Sequence, residues 1–172
     1  MWLNDEIFYQ ESFLSDTELS ELDELIVNYT ADINEIKDNA IASGLGGYFT
    51  LQVRDELLAQ ISDKILDLLN NEGFKFSQFY PRTELQFIFP GSDQQVHIDG
   101  DGSGKDVRHG IVVYISDPSS YSGGEIFYPE YDIEIKPARG SIAVHSGYVQ
   151  HGVRLVEENP RFVLVAFTGF AD

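Results

Sequence analysis

Short β-rich runs, separated by clusters of glycine, proline, aspartate and serine, make up the sequence from Phe74 onward. The runs cover residues 84–89, 110–116, 125–128, 133–136, 141–145 and 162–168. Many short strands that are each followed by a turn are typical of an all-β sandwich or barrel. A jelly roll is one natural closure of such a pattern.

Two segments of the N-terminal part have helical patterns. Ser15 and Glu18 form a capping box, and the apolar residues that follow lie on one helical face up to about Tyr29. A second apolar stripe spans residues 55–71, whereas residues 40–48 are glycine-rich and predict a loop before a strand at residues 49–53. We therefore predict an α+β, mainly β domain, with a double-stranded β-helix (jelly roll) core and N-terminal helices packed on one sheet. This single domain would cover residues 1–172, with a helical part up to about residue 75 and a jelly-roll core over about 76–170.

Charge and composition narrow the classes of function. The formal net charge is −18, so the surface repels phosphate backbones and nucleic acid is not expected as a partner. The chain has no cysteine, which excludes disulfides, zinc–thiolate sites, iron–sulfur clusters and a thiol nucleophile. No signal peptide and no apolar stretch long enough to cross a bilayer is evident. We expect a soluble, cytoplasmic protein without a membrane partner, and its oligomeric state stays open.

Histidine and aspartate form one triplet that suits a metal ion. In an extended segment His97 and Asp99 project from the same face, so both can bind one cation. A third ligand could come from His109, His145 or His151. Two histidines and one carboxylate that leave coordination positions open are typical of non-haem iron(II) oxygenases.

Residues 84–169 resemble the prolyl 4-hydroxylase-like branch of the iron(II)- and 2-oxoglutarate-dependent oxygenases. Five motifs carry the resemblance and occur in the order of that family. They are His97-Ile98-Asp99, a strand that ends in Tyr114, Gly123-Gly124-Glu125, the sequence from Pro137 to Gly140, and His151-Gly152-Val153 with Arg161 about ten positions later.

The resemblance assigns roles to individual residues. It implies that His97, Asp99 and His151 bind iron(II), and that Arg161 and Tyr114 bind the distal carboxylate of 2-oxoglutarate. A guanidinium suits this role because it can bind a carboxylate through two hydrogen bonds.

Other residues receive weaker assignments. His145 is expected to be a hydrogen-bonded core residue near the ligands, and Arg154 to be near enough to contact substrate. The cofactors would be Fe(II), 2-oxoglutarate as cosubstrate and O2, with ascorbate as a further reductant. Loops at residues 45–47 and 100–107 are candidates for substrate recognition and for a lid.

The implied reaction is the hydroxylation of a substrate with release of succinate and carbon dioxide, and the resemblance favours a peptidyl-prolyl substrate. Hydroxylation of a free amino acid or another small molecule is the alternative within this class. A cupin-like metal-binding jelly roll without oxygenase activity and a zinc hydrolase are alternatives from other classes. The first is motivated by Phe89, which stands where the family often has a tyrosine. Val165 and Phe167 likewise replace a hydroxyl residue and a tryptophan of the last strand.

Overall fold

The computed structural model describes residues 1–81, 84–100 and 107–170, and the elements named here lie in these ranges. The helices are α1 (Asp16–Asn28), α2 (Thr30–Ser43) and α3 (Glu56–Asn71). Among the described residues, no helix is both long and apolar enough to cross a lipid bilayer. The strands are β1 (Ile7–Gln10), β2 (Tyr48–Gln52), β3 (Gln78–Tyr80), β4 (Glu84–Ile88), β5 (Ser92–His97), β6 (Val107–Tyr114), β7 (Ser122–Gly123), β8 (Ile126–Tyr128), β9 (Ile133–Ile135), β10 (Ile142–Ser146), β11 (His151–Glu157) and β12 (Arg161–Gly169).

The strands form two antiparallel sheets. The large sheet has the order β1-β10-β6-β12-β4-β2, with β3 beside β12, and the small sheet has the order β5-β11-β8-β9, with β7 beside β11. From β4 to β6 and again from β10 to β12 the chain passes alternately between the two sheets, and β7, β8 and β9 follow one another in the small sheet between these two parts. This alternation defines a double-stranded β-helix and confirms the predicted jelly-roll core.

One face of the large sheet packs on the apolar core, and the other lines the space between the sheets. Along β12, Leu164 and Ala166 belong to the apolar core that also includes α1 and α3. The intervening residues Val163, Val165 and Phe167 instead line the space between the sheets. This division follows from the period of two in a strand. The helices therefore cover the outer face, as predicted, and leave the inner face free to line a cavity.

Some elements agree with the sequence prediction and others differ from it. The capping box is present, with the Ser15 side chain at the N-cap of α1. The prediction of a loop over residues 40–48 was wrong at its start, because α2 continues to Ser43. Only two residues of α2, Ile33 and Ala40, are buried, so the helix lacks the apolar stripe that would reveal it. The polar sequence of β5 concealed that strand for the same reason, since none of its residues is fully buried.

A pair of leucine substitutions tests the packing of the helices on the large sheet. Leu22 of α1 is fully buried, whereas Leu45 is 63% exposed. We expect Leu22→Ala to lower the free energy of unfolding by about 2–5 kcal/mol, because it leaves a cavity in the core. Leu45→Ala should change it by less than about 0.5 kcal/mol. Urea unfolding followed by circular dichroism measures both, and equal effects would contradict the described core.

Candidate metal centre

The pairing of β5 with β11 brings two histidines together. His97 ends β5 and lies directly opposite His151, the first residue of β11. Their ring centroids are 4.4 Å apart. Asp99 follows β5 by two residues, and its Oδ1 lies 3.6 Å from Nε2 of His97 and 3.7 Å from Nε2 of His151. The three side chains offer ligand atoms that all lie within 4.8 Å of one another, so together they could hold one metal ion.

Backbone carbonyls orient both imidazole rings. Nδ1 of His97 lies 2.8 Å from the carbonyl oxygen of Gln95, and Nδ1 of His151 lies 3.0 Å from that of Val149. A carbonyl oxygen only accepts hydrogen bonds, so each Nδ1 carries the proton and donates it. In its neutral form each ring then has its lone pair on Nε2, the atom that faces Asp99. Metal-binding histidines are commonly oriented by such a bond from the other ring nitrogen.

The electrostatics of the cluster also suit a cation. Burial opposes ionisation of Asp99, yet hydrogen bonds with His145 and His97 hold the pKa of this carboxyl well below its usual range. The hydrogen bond with Asp99 raises the pKa of His97, whereas burial lowers the pKa of His151 to about 3. The lowered pKa values keep Asp99 ionised and His151 neutral at pH 7, which are the forms in which these groups bind metals, whereas a metal ion at His97 would have to displace the proton that the raised pKa favours.

A cavity of about 660 Å³ lies between the two sheets and contains the three side chains. Its volume is within the range that is usual for small-molecule sites. Apolar side chains of the large sheet form one wall, among them Val112, Val163, Val165 and Phe167. Arg161 and Tyr114 line the same cavity, so the structure brings together all five residues to which the sequence analysis assigned metal or cosubstrate binding.

Arg161 is a buried cation without a counter-charge. It is only 3% exposed, and among the described residues it forms no ion pair and its Nε has no hydrogen-bond partner. Its guanidinium carbon lies 5.1 Å from the centre of the Tyr114 ring, and the buried Tyr114 hydroxyl also lacks a hydrogen-bond partner there. Burial raises the pKa of Tyr114, against the opposing effect of Arg161, so its hydroxyl stays protonated. Because an unpaired buried charge is costly, this pair of groups fits a carboxylate ligand.

The turn at Gly123 and Gly124 packs closely against this arginine. A Cβ on Gly124 would lie 2.8 Å from the Tyr121 ring and 3.1 Å from Cδ of Arg161. Tyr121 is buried beside Arg161, and sequence analysis did not single it out. The Gly-Gly motif therefore has a steric reason, since a side chain there would displace the groups that surround the guanidinium.

His145 and Arg154, which the sequence analysis also singled out, lie in different places relative to the cavity. His145 is 1% exposed, and its Nε2 lies 3.1 Å from Oδ2 of Asp99, as expected for a hydrogen-bonded core residue beside the site. Arg154 is exposed, forms an ion pair with Glu134 at 2.8 Å and covers the ring of Phe127. It does not line the cavity, so contact with substrate stays a prediction that its position does not support.

The candidate loops are described only in part. Gly46 and Gly47 line the cavity, and a role of residues 45–47 in substrate recognition stays a prediction. Of the second candidate loop, residues 101–106 lie outside the described residues.

Gly110 is a contributor to the site that sequence analysis missed. It lies in β6 opposite His145 of β10. A Cβ at this position would be 2.1 Å from Oδ2 of Asp99 and 2.5 Å from Nε2 of His145. A glycine inside a strand often marks the close approach of another group, and this was the available signal.

No protein-family model matches the sequence, and no curated protein matches it. Solved structures do match its fold. A viral collagen prolyl hydroxylase from Paramecium Bursaria Chlorella virus-1, solved as a 2-oxoglutarate complex, has a TM-score of 0.67 at 19% identity, over 98% of each chain. A Pseudomonas putida prolyl-4-hydroxylase has a TM-score of 0.67 at 18% identity, over 97% of this chain and 94% of the other. A Trichoplax adhaerens prolyl hydroxylase in complex with a peptide fragment of the hypoxia inducible factor oxygen degradation domain has a TM-score of 0.72 at 11% identity, over 96% of this chain and 84% of the other.

The fold is that of the prolyl 4-hydroxylases. The resemblance that the motifs indicated over residues 84–169 thus extends over nearly the whole chain at the level of structure. At these identities the likeness establishes the fold, and the chemistry has to be argued from the side chains of this chain.

A glycine-to-alanine pair tests the close packing around Asp99. We expect Gly110→Ala to force Asp99 and His145 apart and to lower the free energy of unfolding by about 1–3 kcal/mol. Binding of a divalent cation, measured by calorimetry, should weaken as well. The control is Gly46→Ala, whose Cβ would meet only Oγ of Ser92, at 3.6 Å, and which should bind the cation like wild type. Unchanged cation binding by Gly110→Ala would contradict this account of the site.

Proposed function

We propose that the protein is an iron(II)- and 2-oxoglutarate-dependent oxygenase that hydroxylates a peptidyl-prolyl residue. The observation that carries the proposal is the buried Arg161, a cation that has no counter-charge among the described residues, in the same cavity as His97, Asp99 and His151. A metal site by itself fits many activities. A metal site that shares its cavity with an unpaired guanidinium fits a metal-bound cosubstrate with a free carboxylate.

In this proposal each group has a separate task. His97, Asp99 and His151 would hold Fe(II), and Arg161 with the Tyr114 hydroxyl would bind the distal carboxylate of 2-oxoglutarate. When bound, iron, 2-oxoglutarate and O2 supply the oxidising chemistry that leaves a hydroxyl group on the substrate and releases succinate and carbon dioxide. Ascorbate would serve as an auxiliary reductant.

The remaining side chains exclude water and orient the ligands. The wall formed by Val112, Val165 and Phe167 is apolar, which strengthens every electrostatic interaction within the cavity. Because burial keeps the Tyr114 hydroxyl protonated, it can donate a hydrogen bond beside Arg161 to a carboxylate oxygen. No proton transfer by these residues is required, since their task is coordination and orientation.

The position of Phe89 bears on the alternative of a jelly roll without oxygenase activity. Phe89 packs against Phe49 and Phe87, with ring centroids 5.4 and 5.1 Å apart, and it does not line the cavity. The missing hydroxyl at this position therefore removes no polar group from the cavity. This observation weakens the motive for the inactive alternative and supports the oxygenase.

Two observations support a peptide as substrate. One prolyl hydroxylase of the same fold was solved with a peptide fragment bound. In this chain Gly46 and Gly47, from the loop that the sequence analysis proposed for substrate recognition, line the cavity. A free amino acid would also fit the cavity volume, and it is the alternative that the substrate experiment must separate.

The first experiment tests cosubstrate binding. Wild-type protein with Fe(II) under anaerobic conditions should develop a metal-to-ligand charge-transfer band when 2-oxoglutarate is added. Arg161→Gln should require about 100-fold more 2-oxoglutarate, because removing one partner of a buried charge pair costs about 2–5 kcal/mol and each 1.4 kcal/mol is tenfold in affinity.

Two variants serve as controls for this titration. Arg154→Gln, which changes an exposed arginine outside the cavity, should titrate like wild type. His97→Ala should give no band, because one metal ligand is lost. A wild-type protein without the band, or an Arg161→Gln variant that matches wild type, would exclude the proposed function.

The second experiment tests the substrate class. Succinate release and the gain of one oxygen atom by mass spectrometry should both depend on a proline-containing peptide. The matched control is the same peptide with alanine in place of proline, which should give only the slow release of succinate that occurs without substrate. Hydroxylation of free amino acids but of none of the peptides would replace the peptidyl-prolyl assignment by the small-molecule alternative.

A further inference from the structure

The two carboxylate oxygens of Asp99 have different neighbours. Oδ1 faces the Nε2 atoms of His97 and His151, at 3.6 and 3.7 Å, and is the oxygen directed at the candidate metal position. Oδ2 faces Nε2 of His145 at 3.1 Å. One carboxylate oxygen therefore faces the candidate metal position, and the other is hydrogen-bonded to a third histidine.

Each ring nitrogen of His145 has one hydrogen-bond partner. His145 lies in β10 with its side chain fully buried, so no water competes for its ring nitrogens. A carboxylate oxygen accepts hydrogen bonds, so Nε2 of His145 carries the proton and donates it to Oδ2. Nδ1 lies 3.3 Å from the Tyr128 hydroxyl, which is its hydrogen-bond partner. Tyr128 itself is fully buried, so its position is fixed by packing.

We propose that His145 is a positioning residue of the metal centre, which holds Oδ2 of Asp99 so that only Oδ1 can bind the metal ion. The inference rests on the proposed metal site. His145 differs from a ligand in this role, because its Nε2 is engaged by the carboxylate. Partners of this kind orient metal ligands in other proteins, and their loss typically lowers metal affinity about 10–100-fold.

One-oxygen binding by Asp99 matters for the number of open positions. A carboxylate can bind a metal ion through one or both oxygens. Two histidines and a carboxylate that binds through one oxygen leave half of an octahedral shell open, as an oxygenase of the proposed class requires. If Oδ2 also bound, one of these open positions would be lost. By holding Oδ2, His145 would keep that position open.

The neighbouring strand is built around this hydrogen bond. Gly110 of β6 pairs with His145, and any Cβ there would overlap both Oδ2 of Asp99 and Nε2 of His145. A glycine in the middle of a strand weakens it, because glycine loses more conformational freedom than other residues on folding. The sequence thus places a costly residue at a position where a side chain would separate the two groups.

Two substitutions separate hydrogen bonding from packing. Gln and Met have similar size and an unbranched shape, but only Gln can donate a hydrogen bond to Asp99. We expect His145→Met to bind Co(II) about 10–100-fold more weakly than wild type. We expect His145→Gln to remain within about threefold, because it keeps the donor. Thermal unfolding of both metal-free variants shows whether they fold alike.

The experiment is an anaerobic titration of the whole protein with Co(II), followed by its visible absorption and by calorimetry, without 2-oxoglutarate. The spectrum of His145→Met should differ from that of wild type, because a released Oδ2 changes the coordination of the ion. His145→Gln should restore the wild-type spectrum. These results would support the positioning role, since a packing role alone predicts no rescue by a donor.

Other results would overturn the inference. They are wild-type affinity and spectrum in His145→Met, equal loss in both variants, or a wild-type protein that binds no Co(II). The proposed function fails separately. If wild-type protein binds Co(II) and the variants behave as expected, but 2-oxoglutarate gives no charge-transfer band with Fe(II), then His145 positions a metal ligand in a protein of another function.

Discussion

Burial of the outer face of the large sheet under the helices is the interaction on which the rest of the structure depends. Leu22 of α1 and Leu58 of α3 share one apolar core with Leu85 and Leu164 of the sheet. Apolar burial of this extent is the main favourable contribution to folding. Because it is satisfied on one face, the other face can line a cavity that contains polar and charged groups, which no close-packed core would tolerate.

The acidic surface of the protein and the buried Arg161 have opposite effects on an anion. The surface is strongly acidic, with a formal net charge of −18, whereas the cavity contains the buried cation Arg161. An anionic cosubstrate would therefore be repelled by the acidic surface and attracted by Arg161 once it is inside the cavity. Under the proposed function, the affinity would come from short-range hydrogen bonds with Arg161 and Tyr114, since screening at physiological ionic strength limits the reach of the outer field to about 8 Å.

Sequence reasoning predicted the parts of this structure that depend on local pattern. The capping box at Ser15, the apolar stripe of α3 and the β-rich runs after Phe74 all carry their signal in nearby residues. The His97–Asp99 pair was predicted from an extended segment, whereas β5 ends at His97 and Asp99 lies in the turn that follows. His151 and Arg161 were assigned by family resemblance, because no local pattern links residues that are distant in the chain. His151 meets His97 through the pairing of β5 with β11, whereas Arg161 reaches the cavity from β12 of the other sheet.

The missed features depend on contacts between distant segments. β5 is polar because it borders the cavity, so its sequence does not alternate as a half-buried strand does. The role of Gly110 depends on the atoms of Asp99 and His145 that occupy the space beside it, and Tyr121 contributes because the turn at Gly124 brings it to Arg161. Such roles follow from three-dimensional packing, and single-sequence patterns describe neighbours along the chain.

The register between His97 and His151 has a mechanical consequence. β5 is the edge strand of the small sheet, its only hydrogen-bonded neighbour among the described strands is β11, and their pairing is interrupted by register shifts after His151. A metal ion bound by both histidines would link the two strands at the point where His97 lies opposite His151. Any ligand that binds only the folded state stabilises it by mass action. Metal loading would therefore anchor the edge strand from which Asp99 extends, at a place where the sheet itself supplies a hydrogen-bonded neighbour on one side.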